Sequence, residues 1–377
     1  MKKIVLLSLF LLCGLFLSQC LPSLWGEAYQ AFSGIARWLM FICLAYIMIN
    51  VGREFELDKT RWRSYTSDYF IAMATAAVPW LLIAFYYTFC LDSGLSWQNN
   101  LLISRFAAPT SAGILFTMLA AAGLKKEWIY QKTQVLAIFD DLDTILLMIP
   151  LQILMIGFKW QLFVVIVVVV ALLILGWKKL SAFDIPQSWK AILIYAVCIV
   201  AAFESIYLLT KWWMGVDGGI HIEVLLPAFV LGMVIKTVHR TTRTEENVSN
   251  FISYLFMFLV GLSTPLFIDL NTTGAGMPSW GVLAFHVFMV TLLSNIGKMF
   301  PLFFYRDRQL LERLALSIGM FTRGEVGAGI IVIALGYNLG GVALIVSILS
   351  LVLNLILTGF FVILVKRISQ RVYGVKE

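Results

Sequence analysis

Asp140 and Asp141 stand side by side in a long apolar run, with Asp143 close behind. Thr110 and Ser111 follow Pro109 in a second apolar run, Lys298 lies near the end of a third, and Arg323 and Glu325 flank Gly324 in a fourth. A charge near the centre of a bilayer costs about 2.5–3.5 kcal/mol even on permissive insertion scales, so such groups pair, titrate or line water. A carboxylate in that setting holds a proton or a hard cation but not both favourably. Burial favours its neutral form, and a neighbouring positive charge favours its ionised form. Hydroxyls, and carbonyls released from a helix, are the oxygen ligands a hard cation prefers.

Composition places these residues in a membrane. Of the 377 residues 61% are hydrophobic and only 13% charged, with a mean hydropathy of +0.91. A soluble domain is about 25% charged, so water-soluble enzymes and nucleic-acid binders are excluded. A net charge of +7 could signal a polyanion partner, but the basic residues gather in loops. The five cysteines are scattered, with no CxxC pair, so neither a disulfide framework nor a metal centre is indicated. No cofactor is expected.

A bilayer core about 30 Å thick needs about 20 apolar residues of helix. Twelve stretches fit: 4–21, 35–52, 69–91, 99–123, 133–157, 161–177, 190–210, 221–238, 250–268, 280–304, 313–335 and 341–365. With both termini cytoplasmic, the inner segments carry 22 Lys and Arg and the outer loops only Lys159 and Lys211. That asymmetry fixes the orientation, and a miscounted span would invert every later loop. The chain therefore reads as one all-α polytopic membrane domain, residues 1–377, without a soluble regulatory domain. Span 1 also looks like a secretory signal ending near Cys20, but Gln19 suits a lipoprotein cleavage site poorly, and a retained helix is the preferred reading.

Four basic residues remain outside the loops: Arg37, Arg105, Lys298 and Arg323. Glu204 is the acid without an evident task, and Arg37 is its available partner. At about 1.5 Å per residue, Asp140 and Asp141 lie ~10–12 Å in from the cytoplasmic end of span 5. Arg323 and Glu325 lie ~15–18 Å along span 11, Thr110 and Ser111 ~17 Å from the outer end of span 4, and Lys298 ~10 Å from the inner end of span 10. Spans 4 and 11 also look broken. One reads Ala108-Pro109-Thr110-Ser111-Ala112-Gly113 at midspan and the other Gly319-Met320-Phe321-Thr322-Arg323-Gly324-Glu325. Proline removes a helix bond, glycine weakens the helix, and unwound backbone survives in lipid only inside protein or along a cavity. The two spans run in opposite directions. Paired interrupted helices in inverted halves point to a transport site near the midplane.

At these residues the sequence resembles the monovalent cation/proton antiporter superfamily. The stretch from Ala108 to Gly113 is similar to the family's unwound core helix, Phe139-Asp140-Asp141 to its paired-aspartate helix, and Ser294-Asn295-Ile296-Gly297-Lys298 to its Gly-Lys helix. The Arg323-Gly324-Glu325 signature is the most specific. The resemblance implies an elevator-type fold with inverted repeats, core helices within about 69–157 and 280–366, and scaffold and dimer helices within about 1–52 and 190–268. A linker helix at about 161–177 and a homodimer go with it. It implies that Asp141 binds the ion and that Asp140 pairs with Lys298, with Thr110 and Ser111 as further ligands. Asp140, where electroneutral relatives carry Asn, implies electrogenic exchange. Arg323 and Glu325 would compensate helix dipoles. The partners would be the lipid bilayer and small cations, Na+ first among them, with no nucleic acid, and the membrane a bacterial inner membrane. Asp143 departs from the pattern.

Other readings stay open on the residues alone. The aspartates could form a structural network, Lys298 could snorkel to the inner surface, and Thr110 and Ser111 could only cap broken backbone. His221, His239 and His286 read as structural or solvated. The same fold could host a Na+-coupled symporter of an organic anion, with Arg105 or Arg323 as the anion's partner. Asp140-Asp141-Leu142-Asp143 loosely matches the acid clusters of intramembrane prenyltransferases, but a second cluster is lacking.

Overall fold

A computed structural model describes residues 2–25, 27–53, 62–91, 93–110, 119, 124, 127–147, 150–151, 167, 171, 174–175, 178–179, 184–214, 224–235, 242–263, 278–337 and 339–373. Ser111, Glu223, His221 and His239, and nearly all of the 161–177 span, lie outside them. Twelve α-helices are found among the described residues, and no strand. They are α1 Lys2–Trp25, α2 Glu27–Arg53, α3 Trp62–Phe89, α4 Trp97–Ser104, α5 Trp128–Leu146, α6 Trp189–Met214, α7 Leu225–Val234, α8 Arg243–Leu262, α9 Trp280–Gly297, α10 Leu310–Gly319, α11 Glu325–Gly336 and α12 Gly341–Tyr373. Two 3-10 turns, Arg105–Ala107 and Phe300–Phe303, extend α4 and follow α9. Five of the described helical stretches are long and apolar enough to cross a bilayer. Several of the others are short because expected spans break: span 11 is α10 plus α11, and span 4 opens with the eight residues of α4.

The chain divides into two compact units. The first comprises residues 1–21, 58–147 and 260–377, the second residues 22–57 and 148–259. In the second, α2 packs on α7 and α6. Gly52 and Gly232 meet there so closely that a Cβ on Gly52 would stand 2.1 Å from the Phe229 carbonyl. Arg37 is exposed and forms no ion pair with Glu204 among the described residues, which corrects the pairing expected from the sequence. Arg37 is exposed and Glu204 half-buried, so neither charge is forced to seek the other.

The first unit holds every candidate residue. In it α3 packs against α5, α9 and α4, and α12 against α10 and α9. Polar side chains run along the buried faces: Tyr87 bonds Ser347 at 2.6 Å, Thr291 bonds Ser350 at 2.8 Å, and Asn295 donates to Asn354 at 3.1 Å. Such bonds average about 0.6 kcal/mol in a membrane protein, so their service is register more than strength. Further along α3, Lys132 pairs with the buried Asp68 at 2.8 Å, and Tyr305 donates to the same carboxylate at 2.7 Å. Burial, with the Asp68 charge adding to it, pushes the Tyr305 hydroxyl well above its ordinary range, so it remains a donor. Tyr305 holds φ 53° to reach this position. That is an uncommon backbone state for a bulky residue.

Gly297 sets how closely α9 approaches α3. A Cβ there would lie 2.6 Å from Pro79 Cα, inside a backbone contact that no rotamer change relieves. Overpacking of this kind costs about 1–3 kcal/mol. Gly297→Ala is therefore expected to lower the melting temperature of the detergent-solubilised protein. Gly281→Ala on the same helix, where nothing lies within 4 Å, should not lower it. Equal melting of the two variants would contradict the close approach.

Candidate functional site

Two places where helical structure ends create the site. Helix α4 passes into the turn Arg105–Ala107 and then leaves helical structure at Ala108 to Thr110. Pro109 has no N–H to continue a ladder. Helix α10 stops at Gly319, and α11 starts at Glu325 with Gly324 as its N-cap in extended backbone. The two unwound stretches touch each other. Thr110 Oγ1 lies 3.2 Å from the Met320 carbonyl, and Arg323 Nη1 donates to the Pro109 carbonyl at 3.0 Å. A Cβ on Gly327 would come within 3.0 Å of the Phe106 carbonyl, so α11 also sits close against the turn.

Helix α5 brings the acids and α9 the ammonium. Lys298 Nζ lies 2.6 Å from Asp140 Oδ2, with no exposed side-chain surface on either residue. The same ammonium donates to Thr110 Oγ1 at 3.1 Å and to the Ala108 carbonyl. A lysine has three donors, and here each has an acceptor. Thr110 has one hydroxyl proton and gives it to Asp140 Oδ2 at 2.6 Å, with the Met320 carbonyl as a longer alternative. Lys298 also caps α9 at its C-terminus, where positive charge is favourable.

The structure thus joins Asp140, Thr110 and Lys298 directly. Asp141 is equally buried beside them, 1% exposed. Arg323 is wholly buried, and its bonds go to backbone carbonyls at the end of α10 and in the opposing stretch. Glu325 is the acid in the first turn of α11, the end that favours negative charge. Asp143 is 1% exposed, and its backbone carbonyl accepts from Arg105. His286 shares a 2.7 Å hydrogen bond with Tyr86, away from these groups.

Some participants had no separate sequence signal. The carbonyls of Ala108, Pro109 and Met320 are backbone, and only the breaks in spans 4 and 11 hint that they are available. Trp80 stacks 4.5 Å from the Arg105 guanidinium, and nothing in the sequence marks it. Arg105 was visible only as a basic residue left over in an apolar span.

The chain matches the family described as sodium/hydrogen exchanger, transmembrane, over residues 2–366. Among solved structures it is similar to the sodium proton antiporter MjNhaP1 from Methanocaldococcus jannaschii. The two are 14% identical, the match covers 94% of this chain and 92% of that one, and the TM-score is 0.61. At that identity the likeness concerns the fold. No curated protein matches the sequence.

Removing one partner of a buried pair strands the other charge, at a cost of about 3–5 kcal/mol. Lys298→Met is therefore expected to destabilise the protein by about that amount, measured by thermal or denaturant melting in detergent. Adding Asp140→Asn should restore part of the loss, giving a coupling of about 0.5–3 kcal/mol in the double-mutant cycle. Additive losses would contradict the pairing.

Proposed function

The chain belongs to the transmembrane sodium/hydrogen exchanger family, and we propose that within it this protein exchanges Na+ for protons electrogenically at Asp141. It is an integral membrane cation/proton antiporter and not a prenyl-transfer enzyme. The observation that carries the finer reading is the Asp140–Lys298 pair at the crossing of the broken helices.

Six buried groups decide the chemistry. Arg105, Lys298 and Arg323 are positive when protonated, and Asp140, Asp141 and Asp143 negative when ionised; none is more than 1% exposed. With Asp141 protonated and the other five ionised, the group carries one net positive charge. A cation arriving at Asp141 adds a positive charge that a low-dielectric interior tolerates poorly, so a proton must leave. Asp141 takes one occupant at a time, which turns competition into exchange. Thr110, Ser111 and the unwound carbonyls are the proposed remaining oxygen ligands. A cation at Asp141 also bears on the Asp140–Lys298 pair, and the second proton is the one the buried Lys298 ammonium gives up, since burial disfavours its charged form. If two protons cross against one Na+, one net charge moves, worth about 2.3 kcal/mol per 100 mV. We propose cytoplasmic termini on the charge asymmetry of the loops, and, on the resemblance to the family, a homodimer in a bacterial inner membrane with an elevator-type motion carrying the site.

The test is dissipation of a pH gradient in proteoliposomes as each alkali cation is added in turn. Na+ is expected to collapse the gradient and K+ to do so much less. Asp141→Asn should abolish the response; wild-type exchange in that variant would refute the assignment. Imposing a membrane potential with valinomycin and K+ should change the rate. A rate indifferent to voltage would mean one-for-one exchange.

A further inference from the structure

Arg105 is wholly buried, yet among the described residues no carboxylate pairs with it. Its bonds go to backbone instead. Nε donates to the Thr144 carbonyl at 3.1 Å, and Nη2 donates to the carbonyls of Asp143 at 2.9 Å and Thr144 at 2.8 Å. The face of the guanidinium lies over Trp80, whose own Nε1 donates to the Leu101 carbonyl at 2.7 Å. Helices α3, α4 and α5 are thereby fastened at one side chain.

The carbonyls it grips lie in the last turn of α5, and that of Asp143 also accepts from the Leu147 N–H at 2.9 Å. A fixed cation near the C-terminal turn of a helix is favourable. A guanidinium presents its donors in a rigid fork that spans two successive carbonyls, and an ammonium does not.

We infer that Arg105 is a positioning residue for the exchange site. It fixes the height and rotation of the α5 turn that carries Asp140 and Asp141 against the stretch that carries Ala108 to Thr110. Those two segments are tied at two points. One is the forked grip, and the other is the bond from Thr110 to Asp140 at 2.6 Å. Thr144 links the points, since its hydroxyl donates to the Asp140 carbonyl at 2.8 Å. The inference rests on the reading that Asp141 takes the cation. A displaced turn weakens the cation's resting contacts and leaves the carrying motion alone, so the effect falls on KM and not on maximal rate.

The experiment is Na+-driven exchange in proteoliposomes with Arg105→Lys and Arg105→Gln. Arg105→Lys keeps the charge and loses the fork. It is expected to raise KM for Na+ about tenfold, the worth of one charge-assisted hydrogen bond, with maximal rate within about twofold of wild type. Trp80→Leu removes only the stacking face and should raise KM about threefold. An unchanged KM in a folded Arg105→Lys protein would make the guanidinium a structural charge and overturn the inference. Should neither Arg105 variant fold, an unchanged KM in Trp80→Leu would overturn it equally. Failure of the underlying reading is seen separately, as retained exchange in Asp141→Asn.

Discussion

An ammonium and a carboxylate 2.6 Å apart, neither with any exposed side-chain surface, form the interaction around which the first unit is arranged. Taking both ions out of water costs several kcal/mol each, and their attraction repays this only when their remaining donors and lone pairs are also satisfied. Lys298 brings three protons and needs three acceptors. An intact helix offers none from its backbone, because its carbonyls are already engaged. The break at Ala108 to Thr110 releases a carbonyl and positions a hydroxyl, so the pair can be buried only where a helix has come apart.

The breaks create costs of their own, and the same charges absorb them. The break between α10 and α11 leaves one half-helix ending in free carbonyls and the next starting in free N–H groups, inside a region without water to receive them. Arg323 donates to the Pro109 carbonyl across the crossing and lies near the Met320 carbonyl at the end of α10. Glu325 opens α11 at the end where negative charge is favoured. Lys298 is the C-cap residue of α9, and Arg105 donates to carbonyls in the last turn of α5. Basic groups in this unit thus sit at helix ends as well as near acids, and the site and its scaffold are built from one set of charges.

Much of this was legible because charge in an apolar span is conspicuous. Asp140, Lys298, Arg323 and Thr110 were singled out by cost and depth, and the breaks by Pro109 and the glycines around Arg323. The helical architecture followed from span length and loop charge. Less legible were contacts that end on backbone. Every residue has a carbonyl, so no residue type announces that Ala108, Met320 or Thr144 is an acceptor. Arg105 stood out as a charge but not as a clamp, because its targets are invisible in a one-letter string. The approach of Gly297 to Pro79 was hidden for a related reason, since a missing side chain reveals nothing about what fills its place. The expected Arg37–Glu204 pair failed because proximity in a short list of leftover charges is not proximity in space.

Exchange imposes one further demand, and the arrangement meets it through stiffness. On the proposed reading, Asp141 changes occupant repeatedly without the neighbouring pair collapsing onto the arriving cation. A lysine held by three acceptors has little freedom to swing. Asp140 is fixed in turn by Lys298, by Thr110, and through its carbonyl by the Thr144 hydroxyl. Behind them the Asn295–Asn354 and Thr291–Ser350 bonds lock α9 to α12. A soft site could answer a new positive charge by rearranging side chains. A stiff one can answer it only by losing a proton, and that is the difference between binding an ion and exchanging it.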